Sequence, residues 1–524
     1  MKIVSTEEMR ALDHRTIEEF GVPGEELMDR AGFHIAEQVD RLAACWFDSS
    51  CTIQCLAGRG NNGGDALVAA RYLRDRKYNV EVCLAGNVSD LRGDALQHWR
   101  RLSELDVPFY EWATLADWEG AQQSFPPGDI LVDGLLGTGT AGPPRGPIAG
   151  GIAYINACLD RVRVVAIDAP SGLDPDSGAV PGAAVQADIT VALGLPKRGL
   201  VQPSAAAYVG HLTVADIGFP REYIAELTGT PGVEVIHRTD LKPFFPRRDR
   251  HAHKGTYGHV LILGGSRAYP GAAALSVQGA LRAGAGLVTA AVPASVVPIV
   301  AGLAGPEAIV RGQPETTDGS LAATAWDGWS EHASAFGALV VGPGLTPHAD
   351  SLCLVERVLQ DSRCPVVLDA DALRVLVGHT DWLRASGTPL ICTPHPGEFA
   401  ALTNCSVEAV QSDRVDAART AAREWGVWVV LKGCSTVVAT PDGRAHINLT
   451  GNPGMATGGT GDVLAGVIGA LLAQGQTPLN AARAGVYVHG AAGDLATAGC
   501  PEIGLIASDV VGHLGFAFQS LCLR

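Results

Sequence analysis

Asn452-Pro453-Gly454-Met455-Ala456-Thr457-Gly458-Gly459-Thr460-Gly461-Asp462 runs directly into Val463-Leu464-Ala465-Gly466-Val467-Ile468. A dense Gly/Thr loop thus opens onto an apolar helix. Glycines let backbone amides approach an anion closely, and the N-terminus of a helix favours negative charge. Asp462 is expected in the first turn, facing that anion hole. Phosphoryl transfer rests mainly on positioning and charge neutralisation, so one carboxylate base beside a loop of amides is nearly a complete site.

Outward from this loop, β-branched runs at Val260–Leu263, Leu339–Val341, Val366–Leu368 and Val429–Leu431 predict buried strands. Each ends in glycine or aspartate: Gly264-Gly265, Gly342-Pro343-Gly344, Asp369-Ala370-Asp371 and, after Lys432, Gly433. Lys254, just before the first of these strands, is a candidate phosphate contact or a plain exposed lysine. His395 is held between Pro394 and Pro396, a rigid placement that favours substrate contact. A basic, proline-bearing bridge over 241–250 precedes the series.

The first half repeats the pattern, with strands predicted over 52–57, 80–84, 130–133, 164–168 and 189–193. Such alternation is that of an open parallel sheet with helices on both faces, whose ligands sit beyond the carboxyl ends of the strands. Gly58-Arg59-Gly60-Asn61-Asn62-Gly63-Gly64-Asp65 reads as a phosphate loop before a helix starting at Ala66. Val132-Asp133-Gly134 and Ile167-Asp168-Ala169-Pro170-Ser171 place carboxylates at two further strand ends. Asn62, Asp133 and the Ser171 hydroxyl are hard oxygen donors suited to a cation. Ser5 and Glu8 form a capping box for an opening helix, and Gly21 is its expected terminator.

A chain of 524 residues is too long for one ordinary core, so two α/β domains are expected, over 1–238 and 245–524. The net charge of −16 argues against nucleic-acid or anionic-membrane partners. The apolar run Ala283–Pro306 is interrupted by Pro293 and Pro298, which weighs against a membrane helix. Scattered cysteines and the absence of an apolar leader fit a reducing, cytoplasmic setting.

The motifs N-N-G-G-D (Asn61–Asp65), V-D-x-L-L-G-T-G (Val132–Gly139) and I-D-x-P-S-G-L-D (Ile167–Asp174) resemble, in order and spacing, the NAD(P)H-hydrate epimerase family, or YjeF N-terminal domain. The resemblance spans roughly residues 1 to 230, including Met9–Asp13 and Leu195-Pro196-Lys197. It implies a Rossmann-like three-layer sandwich and a potassium ion held by Asn62, Asp133 and Ser171. Asn61, Asn62, Gly63, Gly64 and Asp65, with Gly137, Thr138, Gly139, Thr140, Ala141, Gly142 and Pro143, would cradle the hydrated nucleotide. Asp168 would stand beside the reacting ring as acid and base. Two positions depart from the family pattern: Ala66 replaces a usual glycine, and Gly142 stands where a basic residue is common.

The G-x-G-D arrangement ending in Asp462 resembles ribokinase-like enzymes. With Asn452–Met455 and His395–Glu398 it is similar to the ADP/ATP-dependent NAD(P)H-hydrate dehydratase family, over about residues 245 to 524. By that resemblance Ala272, Gly344, His395 and Asp462 contact the hydrated nucleotide. Lys432, Gly433, Cys434, Ser435, Thr436 and Gly461 hold ADP or ATP, with Mg2+. The implied reaction phosphorylates the C6 hydroxyl and expels phosphate, with ADP expected from the bacterial style of the fused layout; a homo-oligomer is implied as well. Two alternatives stand: a ribokinase-type small-molecule kinase with an accessory nucleotide-binding domain, and a first half that serves only as a binding scaffold.

Overall fold

A computed structural model describes residues 1–47, 50–137, 142–497 and 501–522. The chain forms two compact units, Lys2–Pro231 and Gly232–Arg524, the latter with Met1.

Among the described residues, the first unit carries seven strands: β1 (Thr52–Ala57), β2 (Asn79–Leu84), β3 (Phe109–Glu111), β4 (Ile130–Gly134), β5 (Arg163–Ile167), β6 (Ile189–Leu193) and β7 (His211–Ala215). They lie in the order β3-β2-β1-β4-β5-β6-β7, every neighbouring pair parallel. Strand order reverses between β1 and β4, the switch point at which open α/β sheets bind ligands. Leu56, Leu131 and Val164 meet Trp118 and Tyr154, so the helices Leu115–Ser124 and Gly146–Asn156 cover one face. On the other, the helix Asn61–Asp75 lies against β1, β2 and β4, with Gly24–Trp46 and Gly93–Ser103 packed on it. Burial on both faces explains why these strands read as continuous apolar runs.

The second unit adds β8 (Val233–Val235), β9 (His259–Leu263), β10 (Leu287–Pro293), β11 (Ile309–Gln313), β12 (Ala338–Val341), β13 (Val366–Leu368), β14 (Leu390–Cys392), β15 (Trp428–Leu431), β16 (Val437–Ala439) and β17 (Ala445–Ile447). Their order is β11-β10-β9-β12-β13-β14-β15-β16-β17-β8, parallel except at β15–β16 and β16–β17. The switch point lies between β9 and β12. Over it runs the apolar helix Thr460–Ala473, packed on Pro270–Arg282. A methyl group at Gly466 would overlap the Ser276 carbonyl, so glycine sets this close helix approach.

Several expectations change. The helix after β1 begins at Asn61, not Ala66, so Asn61–Asp65 are its first turns rather than a loop. The first compact unit ends at Pro231 because Val233–Val235 pairs with Ala445–Ile447 in the second sheet. The apolar run from Ala283 divides into β10 and the short helix Val297–Ala304, and no described helix is long and apolar enough to cross a membrane. The opening capping box forms as expected; the helix stops at Glu18, and Gly21 follows with φ +82°.

Candidate active sites

In the first unit, three loops converge beyond the switch point. Asn62 donates both amide hydrogens, to Leu136 O and Ile167 O, each at 2.8 Å. This ties the helix N-terminus to the ends of β4 and β5 and leaves the carboxamide oxygen as an acceptor. Gly137 lies against that carboxamide. Asp133 is wholly buried and accepts from Ser171 N at 2.8 Å, Ser171 Oγ at 2.6 Å and Leu135 N at 3.2 Å. Ser171 Oγ in turn accepts from Leu136 N at 2.8 Å. Burial pushes the Asp133 carboxyl up to about 6, with the Ser171 hydrogen bonds opposing. Among the described residues Asp133 has no ion pair. A buried carboxylate beside a hydroxyl and a carboxamide oxygen fits a potassium ion by donor chemistry. Among the described residues no cluster of His, Cys, Asp and Glu is arranged for a harder metal.

Asp168 stands just past β5 with φ +63°, a left-handed conformation uncommon outside glycine. Its Oδ1 accepts from Leu193 N at 3.0 Å and pairs with Lys197 Nζ, which also donates to Leu193 O at 3.1 Å. Lys197 is 1% exposed. Asp65 and Asp13 face the same ion pair. Burial raises Asp65 well above the usual carboxylate range, and Asp168 and Asp13 raise it further. Burial likewise lifts Asp13 to about 6, with Lys197 opposing. Sequence reading gave Lys197 and Asp13 no role; their appearance in the motif-bearing segments was the available signal.

Ala66 is buried, its methyl filling the space beside Gly134. Gly142 has φ +89°, a conformation that a basic side chain would adopt only with strain. Pro143 lies near Gly182. Thr138, Gly139, Thr140 and Ala141 lie outside the described residues.

In the second unit, Asp462 occupies the first turn of Thr460–Ala473, as expected from its loop. Burial pushes its carboxyl up to about 7, Asp369 adding to this and Lys432 opposing it. Lys432 Nζ pairs with Asp369 Oδ1 at 2.6 Å, and Thr393 Oγ1 donates to the same oxygen at 2.7 Å. Gly461 sits against the Lys432 ammonium. Burial also lifts Glu398 to about 7. Asp371 accepts from Thr346 N at 2.9 Å and faces Arg374 at 3.2 Å. Three carboxylates, Asp369, Glu398 and Asp462, therefore face the half-buried Lys432, and Asp371 faces Asp462 in turn; Asp369, Asp371 and Glu398 had been assigned no role from sequence.

His395 caps the helix Pro396–Thr403: Nδ1 accepts from Gly397 N at 3.0 Å and Glu398 N at 3.3 Å. Burial, with Lys432 nearby, holds the imidazole below its ordinary range, and the neutral form suits an accepting Nδ1. Gly344, with φ +71°, lies against Tyr269 O and the Ala272 methyl, so Ala272 and Gly344 come together. Gly433 packs on the buried Arg414 guanidinium, which donates to Leu431 O and Lys432 O, both at 3.0 Å. Cys434 is exposed, Ser435 has φ +52°, and Thr436 Oγ1 closes the turn on Gly433 O at 2.9 Å. Lys254 is not part of this group: it precedes β9, whose five residues, about 16 Å of strand, separate it from the ligand end.

Residues 24–199 match the family model described as YjeF-related protein N-terminus, and residues 260–507 match that of NAD(P)H-hydrate dehydratase. The bifunctional NAD(P)H-hydrate repair enzyme Nnr of Moorella thermoacetica is 39% identical, over 99% of this chain and 97% of that one. That of Thermofilum pendens is 37% identical over the same shares. Among solved structures, the ADP/ATP-dependent NAD(P)H-hydrate dehydratase of Bacillus subtilis, co-crystallized with ATP/Mg2+, is 34% identical with a TM-score of 0.48, covering 56% of this chain and 100% of that one. With both segments matched and relatives aligned nearly end to end, this chain belongs to the family of bifunctional NAD(P)H-hydrate repair enzymes.

Proposed function

We propose that the chain repairs hydrated NADH and NADPH in two steps, with epimerisation in Lys2–Pro231 and nucleotide-driven dehydration in Gly232–Arg524. The observation that carries this reading is the repeated placement of a carboxylate near a helix N-terminus at the carboxyl edge of each sheet, Asp168 past β5 beside Asn61–Asp75 and Asp462 within Thr460–Ala473. Both lie where an open α/β sheet takes a nucleotide.

The substrate is a hemiaminal with a hydroxyl on C6 of the reduced pyridine ring. In the first unit Asp168, fixed by Lys197 and Leu193 N–H, exchanges protons as that hydroxyl leaves and returns. Asn62, Asp133 and Ser171 would hold the potassium ion, whose charge would offset the buried carboxylate. In the second unit Asp462 takes the C6 hydroxyl proton while the oxygen attacks the terminal phosphoryl group of ADP. AMP departs. The C6–O bond then breaks with phosphate as leaving group, C5 loses a proton, and the ring double bond is restored. Hydroxide is a poor leaving group at neutral pH and phosphate a good one, which accounts for the nucleotide consumed. The residues Lys432–Thr436 and Gly461 would grip the nucleotide, and Ala272, Gly344 and His395 the hydrated cofactor. Mg2+ would be held largely by the nucleotide phosphates, with one or two carboxylates of this group in support, and would supply charge neutralisation at the transferred phosphoryl.

Purified R-hydrate tests the division of labour. Without nucleotide it should equilibrate with the S form, and replacing potassium by choline should stop this exchange. Asp168→Asn should lower the rate by about 10²–10⁴-fold. It also leaves the Lys197 ammonium uncompensated, so some loss of stability accompanies it. No interconversion by the wild type in potassium buffer would contradict the first step.

A further inference from the structure

Resting on the epimerase reading of the first unit, we propose that Asp65 is the acid that gives its proton to the departing C6 hydroxyl, with Asp168 as the base for the returning water and Asp13 as a neighbouring carboxylate that acts through Asp65. Asp65 is 6% exposed, and among the described residues its side chain makes no hydrogen bond or ion pair. Such a group is costly to keep charged and has no structural duty that would explain its burial. The charged groups facing it are Asp168, Asp13 and Lys197.

Three carboxylates thus share one ammonium, and that ammonium is committed to Asp168 Oδ1 and Leu193 O. Ionising all three would leave an excess of negative charge in a buried space. Asp168 faces the lysine directly and carries the charge. Asp65 keeps the proton, since burial and its two acidic neighbours all favour the neutral acid. Adjacent carboxylates in opposed environments divide into acid and base. This is the requirement of a hemiaminal that must lose and regain a hydroxyl.

The step balances without an oxidant. The Asp65 proton passes to the C6 hydroxyl oxygen, and the C6–O bond breaks with its electron pair leaving as water. The N1 lone pair forms a C6–N1 double bond. Water then adds to the opposite face of C6, the pair returns to N1, and the surplus proton goes to Asp168 and back to Asp65.

The test uses the full chain without nucleotide, so that the second unit is idle, and follows R-to-S conversion by chromatography. Asp65→Asn should lower kcat by about 10²–10⁴-fold while KM stays within about threefold. The wild-type profile should lose activity at alkaline pH as Asp65 ionises. Asp13→Asn removes a negative neighbour, eases that ionisation and should move the alkaline limb to lower pH, a readout that mere loss of packing does not give. A full-rate Asp65→Asn, a loss expressed wholly in KM, or an unmoved limb in Asp13→Asn would overturn the assignment. A wild type that fails to interconvert the epimers would instead overturn the epimerase reading itself.

Discussion

Asp462 shares its surroundings with Asp369, Asp371 and Glu398, and Lys432 offsets only part of that negative charge. Burial first, and then these carboxylates, push the Asp462 carboxyl up to about 7, close to the neutral pH at which a general base works best. Because the base form is the active one, dehydratase kcat should fall as pH drops through about 7 and level off above it. Measured kcat against pH with saturating S-hydrate and ADP checks this; a flat profile from well below to well above that value would contradict it. At this scale the sequence told much. Asp168, Asp133, Asn62 and Ser171 stand out in the sequence because each sits within a short motif after a predicted strand, and Asp462 because it closes a Gly/Thr loop that opens a helix. The ion pairs of Lys197 and Asp369 were not legible, since they join residues 29 and 63 positions apart. Nothing local in sequence marks such a partner. Asp65 was named from its motif, but that its side chain has no partner among the described residues is visible only in three dimensions.

Elements position these residues through close backbone approach. A methyl at Gly58 would overlap the Leu135 carbonyl, and one at Gly63 would overlap the Gly58 carbonyl. The turn after β1 is thus wedged between its own helix and the loop after β4. Gly58→Ala should push these loops apart, costing about 1–3 kcal/mol of overpacking. Epimerase activity should be lost while dehydratase activity persists; unchanged epimerase kinetics would show that the wedge is dispensable. The strands β1, β2, β4, β5, β6, β9, β12 and β15 were readable as β-branched runs, whereas β7 and β11 were not read, and β10 was hidden inside the longer apolar run from Ala283. Among the three-residue strands, β13 (Val-Val-Leu) was read, whereas β3, β8, β14, β16 and β17 were not, because so short a run carries no periodicity. The start of the helix after β1 was also misplaced: Asn and Gly are poor helix formers, and here tertiary hydrogen bonds from Asn62 hold them in the first turn.

At the scale of the molecule, the division at Pro231 makes a prediction about fragments. A fragment beginning at Gly232 keeps β8 on the edge of the second sheet, whereas one beginning at Thr239 loses it and bares β17. An exposed edge strand invites aggregation. The shorter fragment should melt earlier, by roughly 2–4 °C for each kcal/mol lost, and should aggregate more readily in light scattering. The two-domain α/β plan and the order of its motifs were legible from end to end, because glycines and carboxylates at strand ends recur in both halves. The pairing of Val233–Val235 with a strand more than two hundred residues later was not. The central claim is that the two units act in series on one damaged cofactor. The direct test is recovery of reduced-nicotinamide absorbance from mixed R and S hydrates, with ADP and separately with ATP, in wild type beside Asp462→Asn. Complete recovery with a nucleotide in the wild type, and none in the variant, is the predicted result. A stable phosphorylated product without recovered absorbance, or equal recovery in the variant, would contradict the account.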